Sequence, residues 1–349
     1  MESRTRKAVA IWLLVGVFMI VVQVLLGGVT RLTGSGLSIT EWKPIMGALP
    51  PLNEQQWNDA FDRYKQIAQY KFLNSDFSLD DFKFIFFWEW FHRLWARLLG
   101  VVFAVGFIYF LVKKYFDKGM VVPFLILFAL GGPQGLIGWI MVESGLNETD
   151  LYVNHIKLAI HFIAALILLC YTLWFALQLL VPKEKIISNN SLRGFTIVLL
   201  AVLGVQLIYG AFMAGLKAAP YAPTFPLMNG EFVPDTIIGK SWINNPFNVQ
   251  FLHRTLAYLI LVLGAFWFAS ASKVARHYSN GLLKTYRWYP LILIFIQVLL
   301  GIFTVLKAPR MGTSRFGGYE LLAEAHQLVA MFLLISLFVN LYLIRRTAT

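Results

Sequence analysis

The sequence predicts an all-α integral membrane protein whose eight transmembrane helices form two four-helix bundles. Of its 349 residues, 58% are hydrophobic and only 14% are charged, which excludes an ordinary soluble domain of this length. Apolar runs long enough to cross a bilayer as helices recur eight times. Polar residues recur at matching positions in the two halves, which predicts the two bundles.

The predicted helices begin close to the start of the chain. Basic residues precede the first apolar run, as in a signal peptide, but the run is too long for a signal-peptide core and lacks a small-residue cleavage site. We therefore expect it to remain as a helix. The predicted spans are residues 11–30, 86–112, 121–142, 153–181, 194–216, 249–272, 288–306 and 321–344.

Basic residues are concentrated at the two ends of the chain and after every second helix. These segments contain fifteen basic residues and only Glu2, Asp117 and Glu184 as acids, so the net charge of +12 lies on one side. The positive-inside rule places that side, with both termini, in the cytoplasm. The positive charge is thus a topology signal and indicates no nucleic-acid partner. It also favours contact of these segments with anionic lipid headgroups. The basic residues are Arg4, Arg6, Lys7, Lys113, Lys114, Lys118, Lys183, Lys185, Arg193, Lys273, Arg276, Lys284, Arg287, Arg345 and Arg346.

An internal repeat relates the two halves of the chain. Four helices return the chain to its starting side, so two such units run in the same sense as a parallel repeat. We predict halves at residues 1–185 and 186–349. The small residues in the repeat let helices approach closely, and by themselves they indicate no chemistry. The matching sets are Gln23/Gly27 with Gln206/Gly210, His92-Arg93 with His253-Arg254, Gln134/Gly138 with Gln297/Gly301, and His161 with His326.

Four histidines stand near the outer ends of the even-numbered helices. They are His92, His161, His253 and His326, and the second pair follows the first after almost the same interval. Ionisable groups at membrane depth are costly and usually functional, and two histidines on facing helices commonly hold a haem iron. The pattern predicts two haem sites, one in each half. The alternative is that these histidines only satisfy hydrogen bonds between helices.

Other polar residues are candidates for contacts around such sites. Arg31, Arg93 and Arg254 are candidate contacts for haem propionates, and the alternative for each is a lipid headgroup. The single cysteine, Cys170, excludes an intrachain disulfide and a thiolate metal site.

One carboxylate distinguishes the two halves. Glu89 stands three residues before His92 on the same helix face, whereas the matching residue of the second half is Gln250. A carboxylate beside a haem ligand is suited to moving protons or stabilising positive charge. We therefore expect chemistry in the first half and electron storage or relay in the second. The alternative is that Glu89 pairs with Arg93 or Arg97 in a helix interface.

Several motifs together resemble those of the haem A synthases, and the resemblance spans nearly the whole chain. The long first outer loop and the lack of paired cysteines resemble the proteobacterial and mitochondrial branch of that family. The motifs are Gly28-Val29-Thr30-Arg31-Leu32-Thr33, Ser35-Gly36-Leu37-Ser38, Glu41-Trp42-Lys43-Pro44, Pro50-Pro51-Leu52, Glu89-x-x-His92-Arg93, Gln134-Gly135-Leu136-x-Gly138-Trp139, Met141-Val142-x-Ser144-Gly145-Leu146, Leu158-Ala159-Ile160-His161, Ala214-Gly215, Phe225-Pro226-Leu227-Met228-Asn229-Gly230, Asn248-Val249-Gln250-Phe251-x-His253-Arg254 and His326-Gln327.

The resemblance implies an oxidoreductase that converts a methyl group of haem O to a formyl group through an alcohol. It implies His253 and His326 as axial ligands of a haem b cofactor, His92 and His161 as ligands of the substrate haem, and Glu89 as the catalytic carboxylate. Expected partners are haem O, the lipid bilayer and an electron donor of unknown identity. Further candidate partners are haem O synthase, oxidase assembly factors and a second copy of the chain. The expected location is the bacterial cytoplasmic membrane.

Two other classes of protein remain open at this point. A di-haem electron carrier exchanging electrons with quinone would have no need for a carboxylate in one half only. A transporter would place ionisable residues at the membrane midplane, whereas these lie toward the outer face. The basic segment from Lys307 to Tyr319 departs from the family pattern at the expected outer rim of the second site.

Overall fold

The computed structural model describes residues 3–44, 46–235, 239–278 and 281–345. Within these ranges the chain is helical and contains no β-strand. Glu2 and Arg346, which contribute to the predicted charge asymmetry, lie outside the described residues. The α-helices are α1 Ser3–Leu32, α2 Glu54–Tyr64, α3 Ala68–Leu73, α4 Leu79–Val112, α5 Val121–Gly131, α6 Gln134–Glu143, α7 His155–Leu180, α8 Asn190–Gly215, α9 Pro246–His277, α10 Gly281–Tyr286, α11 Trp288–Lys307 and α12 Gly318–Leu343.

Eight helical stretches of the described chain are long and apolar enough to cross a membrane, which confirms the predicted fold class. The apolar surface of α4 illustrates the lipid-facing side of such a helix. Val101, Val105 and Ile108 follow one another along one face, and each exposes more than half of its surface. Exposed apolar side chains at this spacing suit contact with hydrocarbon. The chain therefore has the architecture of a multi-pass membrane protein.

The third predicted span, residues 121–142, is interrupted near its middle. Helix α5 ends at Gly131, and α6 begins at Gln134. Pro133 has no N–H to donate to the carbonyl of Ala129, so the regular hydrogen-bond ladder breaks there. Proline kinks of this kind are tolerated in transmembrane helices. The span is therefore two short helices in series instead of one continuous helix.

The described chain divides into two compact units. One unit is Val15–Leu169, and the other contains the described residues before and after it. In the second unit, α8 packs against α9, α9 against α11, α11 against α12 and α12 against α8. These four helices thus form a closed ring of neighbours, the arrangement of a four-helix bundle. The repeat boundary at residues 185 and 186 stays a prediction.

A small helical layer covers the N-terminal end of α4 in the first unit. Asn53 caps α2 by accepting a hydrogen bond from the Gln56 N–H, and Phe61 and Tyr64 of α2 pack against Phe82 of α4. To reach this layer, α4 begins at Leu79, two turns before the predicted start at residue 86. The predicted start at residue 86 leaves fewer than two turns before His92, which is wrong, because almost four turns of α4 precede it.

Candidate functional site

The second unit brings two of the predicted ligands face to face. His253 lies two turns into α9 and His326 two turns into α12, and their ring centres are 6.2 Å apart with the ring planes at 71°. Two imidazole–metal bonds of about 2.0 Å, with about 1.1 Å from each nitrogen to its own ring centre, also span about 6 Å. The separation therefore fits two axial ligands of one metal ion.

The polar atoms of this pair are compatible with a bound metal. The Nδ1 atoms of His253 and His326 are buried and have no hydrogen-bond partner among the described residues. On their other side, the amide nitrogens of Gln206 and Gln297 lie 3.4 Å and 3.2 Å from the respective Nε2 atoms. Buried polar groups are normally paired, so unpartnered ring nitrogens on facing imidazoles support a haem site here.

The first unit surrounds its two histidines in a similar way. The Gln23 amide nitrogen of α1 lies 3.2 Å from both ring nitrogens of His92 on α4. His161 lies two turns into α7, and its Nδ1 is buried without a partner among the described residues. His92 thus has a glutamine amide beside its ring nitrogens, and His161 has a buried ring nitrogen without a partner, which are the two features that each ligand of the second site combines.

Glu89 is buried in α4 and is held by three donors. Its Oε1 accepts a hydrogen bond from Arg93 at 2.6 Å, and its Oε2 accepts from the Ser38 hydroxyl at 2.7 Å and the Ile39 N–H at 2.8 Å. Arg97 binds the backbone carbonyls of Pro44 and Lys43 instead. The predicted alternative of an ion pair is therefore present, with Arg93 as the partner. The Ser38 and Ile39 contacts also fix the carboxylate to the loop that follows α1.

The matching position of the second unit has different chemistry. Gln250 is fully buried, and its amide donates to the Ala222 carbonyl at 2.9 Å. An amide can make this bond because it carries N–H donors, whereas a carboxylate would face the carbonyl with like partial charge. The backbone around the two side chains differs to match. The Ile39 N–H donates to Glu89 in one unit, and the Ala222 carbonyl accepts from Gln250 in the other.

The arginines that follow His92 and His253 hold corresponding loops. Arg93 donates to the carbonyls of Ile39 at 3.1 Å and Glu41 at 3.4 Å. Arg254 donates to the carbonyls of Ala222 at 2.6 Å and Thr224 at 2.8 Å. In both units the guanidinium thus donates hydrogen bonds to two backbone carbonyls that lie two residues apart in the loop. Arg31 lies in the last turn of α1. The propionate contacts predicted for these three arginines stay predictions.

The basic segment between α11 and α12 is tied to α12 by a carboxylate that the sequence interpretation missed. Glu320 is buried, and its Oε1 accepts a hydrogen bond from the Gly312 N–H at 2.9 Å. Gly312 adopts a φ of 76°, which favours glycine. The sequence signal that could have indicated this anchor is an acid in the first turn of α12, directly after a glycine-containing loop.

The profile of a family described as cytochrome oxidase assembly protein matches residues 10–338. The chain belongs to this family. It is 40% identical to a haem A synthase of Flavobacterium johnsoniae, over 95% of this chain and 96% of that protein. It is 39% identical to a haem A synthase of Paracoccus denitrificans, over 95% and 86%. The resemblance seen in the sequence motifs is confirmed.

Proposed function

We propose that this membrane protein is a haem A synthase, an oxidoreductase that acts on haem O. The observation that carries the proposal is the difference between two otherwise similar histidine sites. Glu89 provides a buried carboxylate one turn from His92, and Gln250 provides a neutral amide at the matching place beside His253. Together with family membership, this difference supports chemistry at one site only.

The second unit is proposed to hold a haem b between His253 and His326. Their ring separation of 6.2 Å suits two axial ligands. Such a haem, when bound, supplies reversible one-electron transfer. The amides that contact the two imidazoles, those of Gln206 and Gln297, suit a relay site because they neither give nor take a proton at neutral pH.

The first unit is proposed to bind the substrate, haem O, between His92 and His161. The reaction replaces two C–H bonds of a methyl group by a C=O bond, with an alcohol as the first product. With the oxygen counted as water, the change balances as R–CH3 + H2O → R–CHO + 4 H⁺ + 4 e⁻, and dioxygen or another external oxidant takes up the electrons. Protons are released at each stage, so the site needs a group that handles protons or balances developing positive charge. Glu89 is the candidate, because it lies one turn from His92 on the same helix.

The hydrogen bonds around Glu89 favour an electrostatic role. Arg93, Ser38 and the Ile39 backbone N–H all donate to the carboxylate, which stabilises its negative charge and fixes its direction. A charge that is fixed before the reaction costs no reorganisation when positive charge develops nearby. The same contacts connect Glu89 to the loop that follows α1, so the outer loop becomes part of the site.

We also propose the setting of the enzyme. It is a multi-pass protein of the bacterial cytoplasmic membrane with both termini in the cytoplasm, consisting of a substrate half at 1–185 and a haem b half at 186–349. An electron donor, haem O synthase, oxidase assembly factors and a second copy of the chain are candidate partners. In a Cys170→Ser background, Glu148→Cys should react with an impermeant maleimide on spheroplasts, and Glu184→Cys only after lysis. The reverse labelling pattern would contradict this orientation.

The activity can be tested in a host that makes haem O and contains no haem A synthase of its own. Haems are extracted from cells with and without this chain and identified by mass. Haem A, or its hydroxylated precursor, should appear only in cells that contain the chain. Accumulation of haem O alone, with the protein present in the membrane and carrying its b haem, would favour an electron carrier instead.

A further inference from the structure

Each of the four histidines lies against a glycine on the transmembrane helix that precedes its own in the chain. In every case the nearest ring atom to an ideal Cβ built on that glycine is Cε1, so the imidazole always presents the same edge. Three of the four distances are so short that a real side chain there would displace its neighbour. The distances are 3.2 Å for Gly27 and His92, 3.0 Å for Gly138 and His161, 3.4 Å for Gly210 and His253, and 3.1 Å for Gly301 and His326.

A glutamine stands four residues before each of these glycines, one turn away on the same helix face. Three of them, Gln23, Gln206 and Gln297, place an amide nitrogen 3.2–3.4 Å from a nitrogen of the facing imidazole. The side-chain oxygen of each of these glutamines, and of Gln134, is buried without a hydrogen-bond partner among the described residues. Three of these unpartnered amide oxygens belong to glutamines beside an imidazole, and the fourth lies one turn from the glycine that His161 faces; they require an explanation, because buried acceptors are normally paired.

We propose that each glutamine–glycine pair is a seat that fixes the orientation of its histidine as a haem ligand. The inference rests on the proposed function, in which these histidines bind haem. A metal-bound imidazole keeps one N–H, and that N–H needs an acceptor to fix the ring and tune its basicity. The buried glutamine oxygen is that acceptor once the amide turns over, since its oxygen and nitrogen have almost the same shape.

The glycine contributes the space and the glutamine the polarity. Because the glycine has no side chain, the Cε1 edge of the ring can lie close to the neighbouring helix, so the glycine leaves the room that this ring orientation needs. The general role of small residues, close helix packing, does not account for a contact that falls on a histidine in all four places. The eight glutamines and glycines are thus positioning residues and do not themselves react.

The second unit offers a matched control for the glycine part. Gly204 lies on α8 with Gly210, and an added Cβ there would have no neighbour within 4 Å. Gly301→Ala, Gly210→Ala and Gly204→Ala are purified, and their b haem content and low-spin electron paramagnetic resonance spectra are compared. We expect Gly301→Ala to weaken haem retention by about 10- to 100-fold and to shift the low-spin signal. Gly210→Ala should have a smaller effect, and Gly204→Ala none.

The glutamine part is tested by the reduction potential of the b haem. Gln297→Leu removes the acceptor at similar size, so the ring becomes less basic and the potential should rise. Gln297→Glu offers a stronger acceptor, so the potential should fall. Opposite shifts support the seat, because a role in packing alone gives no reason for a change of sign. These variants also test the inference if the alanine variants fail to fold.

Two results would separate the failure of this inference from failure of the proposed function. If His253→Ala retained the low-spin b haem, the ligand assignment itself would be wrong. If His253→Ala lost the haem while Gly301→Ala and Gly210→Ala behaved as Gly204→Ala, and both Gln297 variants kept the wild-type potential, the ligands would stand and the seat would be refuted.

Discussion

The imidazoles of His253 and His326 face each other with their ring centres 6.2 Å apart. This separation is the most direct structural support for a cofactor, because it matches one metal ion bound by both rings. Hydrogen bonding between the helices accounts for only one nitrogen of each ring, since Nε2 lies beside a glutamine amide whereas Nδ1 is buried without a partner among the described residues. The pair therefore leads to the first prediction.

His253→Ala and His326→Ala should each abolish the low-spin b-haem spectrum of the purified protein. Removing one of two axial ligands leaves the iron with an open position, so the low-spin state is lost. Visible spectra of the reduced and oxidised protein measure this. His277→Ala is the matched control, since His277 is exposed in the last turn of α9. An unchanged spectrum in His253→Ala would refute the assignment of His253 as a ligand of the b haem.

His92→Ala and His161→Ala should block haem A formation and leave the b haem of the second unit largely in place. The reason is that each unit surrounds its own pair of histidines with its own glutamines and glycines. Haem analysis of the purified variants, together with product measurement, checks this. Equal loss of both haems in either variant would indicate one shared site or general misfolding.

Arg93→Gln should destabilise the protein more than Arg254→Gln. Both arginines donate to two loop carbonyls, but only Arg93 also pairs with a buried carboxylate, Glu89. Leaving that carboxylate without its ion-pair partner costs about 3–5 kcal/mol, whereas the lost carbonyl bonds cost about 1–3 kcal/mol. Thermal unfolding of the two variants in detergent gives the comparison. Equal losses would mean that the Glu89–Arg93 pair adds nothing to stability.

Tyr64→Phe should loosen the small helical layer above α4 and leave the b haem intact. The Tyr64 hydroxyl donates to the Gln69 side chain at 3.0 Å and accepts from Asn74 at 2.7 Å, and the side chain is fully buried. Burial raises the pKa of Tyr64 to about 12, so the phenol keeps its proton as donor at neutral pH.

The Tyr64 substitution should cost about 1–3 kcal/mol, because two buried partners lose their hydrogen bonds. Limited proteolysis of the 54–78 segment measures the loosening. Tyr70→Phe is the control, because the Tyr70 hydroxyl makes a single exposed bond to the Ser75 carbonyl. Equal resistance to protease in Tyr64→Phe and wild type would show that this network does not hold the layer.

The spanning helices could be recognised from the sequence because bilayer thickness demands long apolar runs, and these leave a strong signal. The short helix α2 lies in a polar loop, so hydropathy carried no signal for it. The Asn53 cap and the spacing of Trp57, Phe61 and Tyr64 are the local signals that could have predicted this amphipathic helix, and the sequence interpretation missed them. The early start of α4 at Leu79 was missed for the same reason. Its first two turns lie before the apolar run and pack against α2, so hydropathy did not mark them as part of the helix.

The candidate site was only partly visible in the sequence. The repeated histidines and the isolated acid Glu89 marked it, because ionisable residues are rare in apolar runs. The donors to Glu89 were not visible, since the Ile39 N–H is a backbone group and serines such as Ser38 are common. The glycines were read as packing residues, and their contacts with the imidazole rings became apparent only when the helices were placed side by side.

The central claim is that Glu89 acts in the oxidation of haem O, and Glu89→Gln tests it most directly. The amide keeps the shape and an acceptor for Ser38, and it removes the charge that balances Arg93. The measurement is haem A formed per protein molecule that retains its intact b-haem spectrum, which excludes misfolded material. We predict a fall of about 10²- to 10⁴-fold, with haem binding preserved. Turnover near the wild-type value in this variant would contradict the claim.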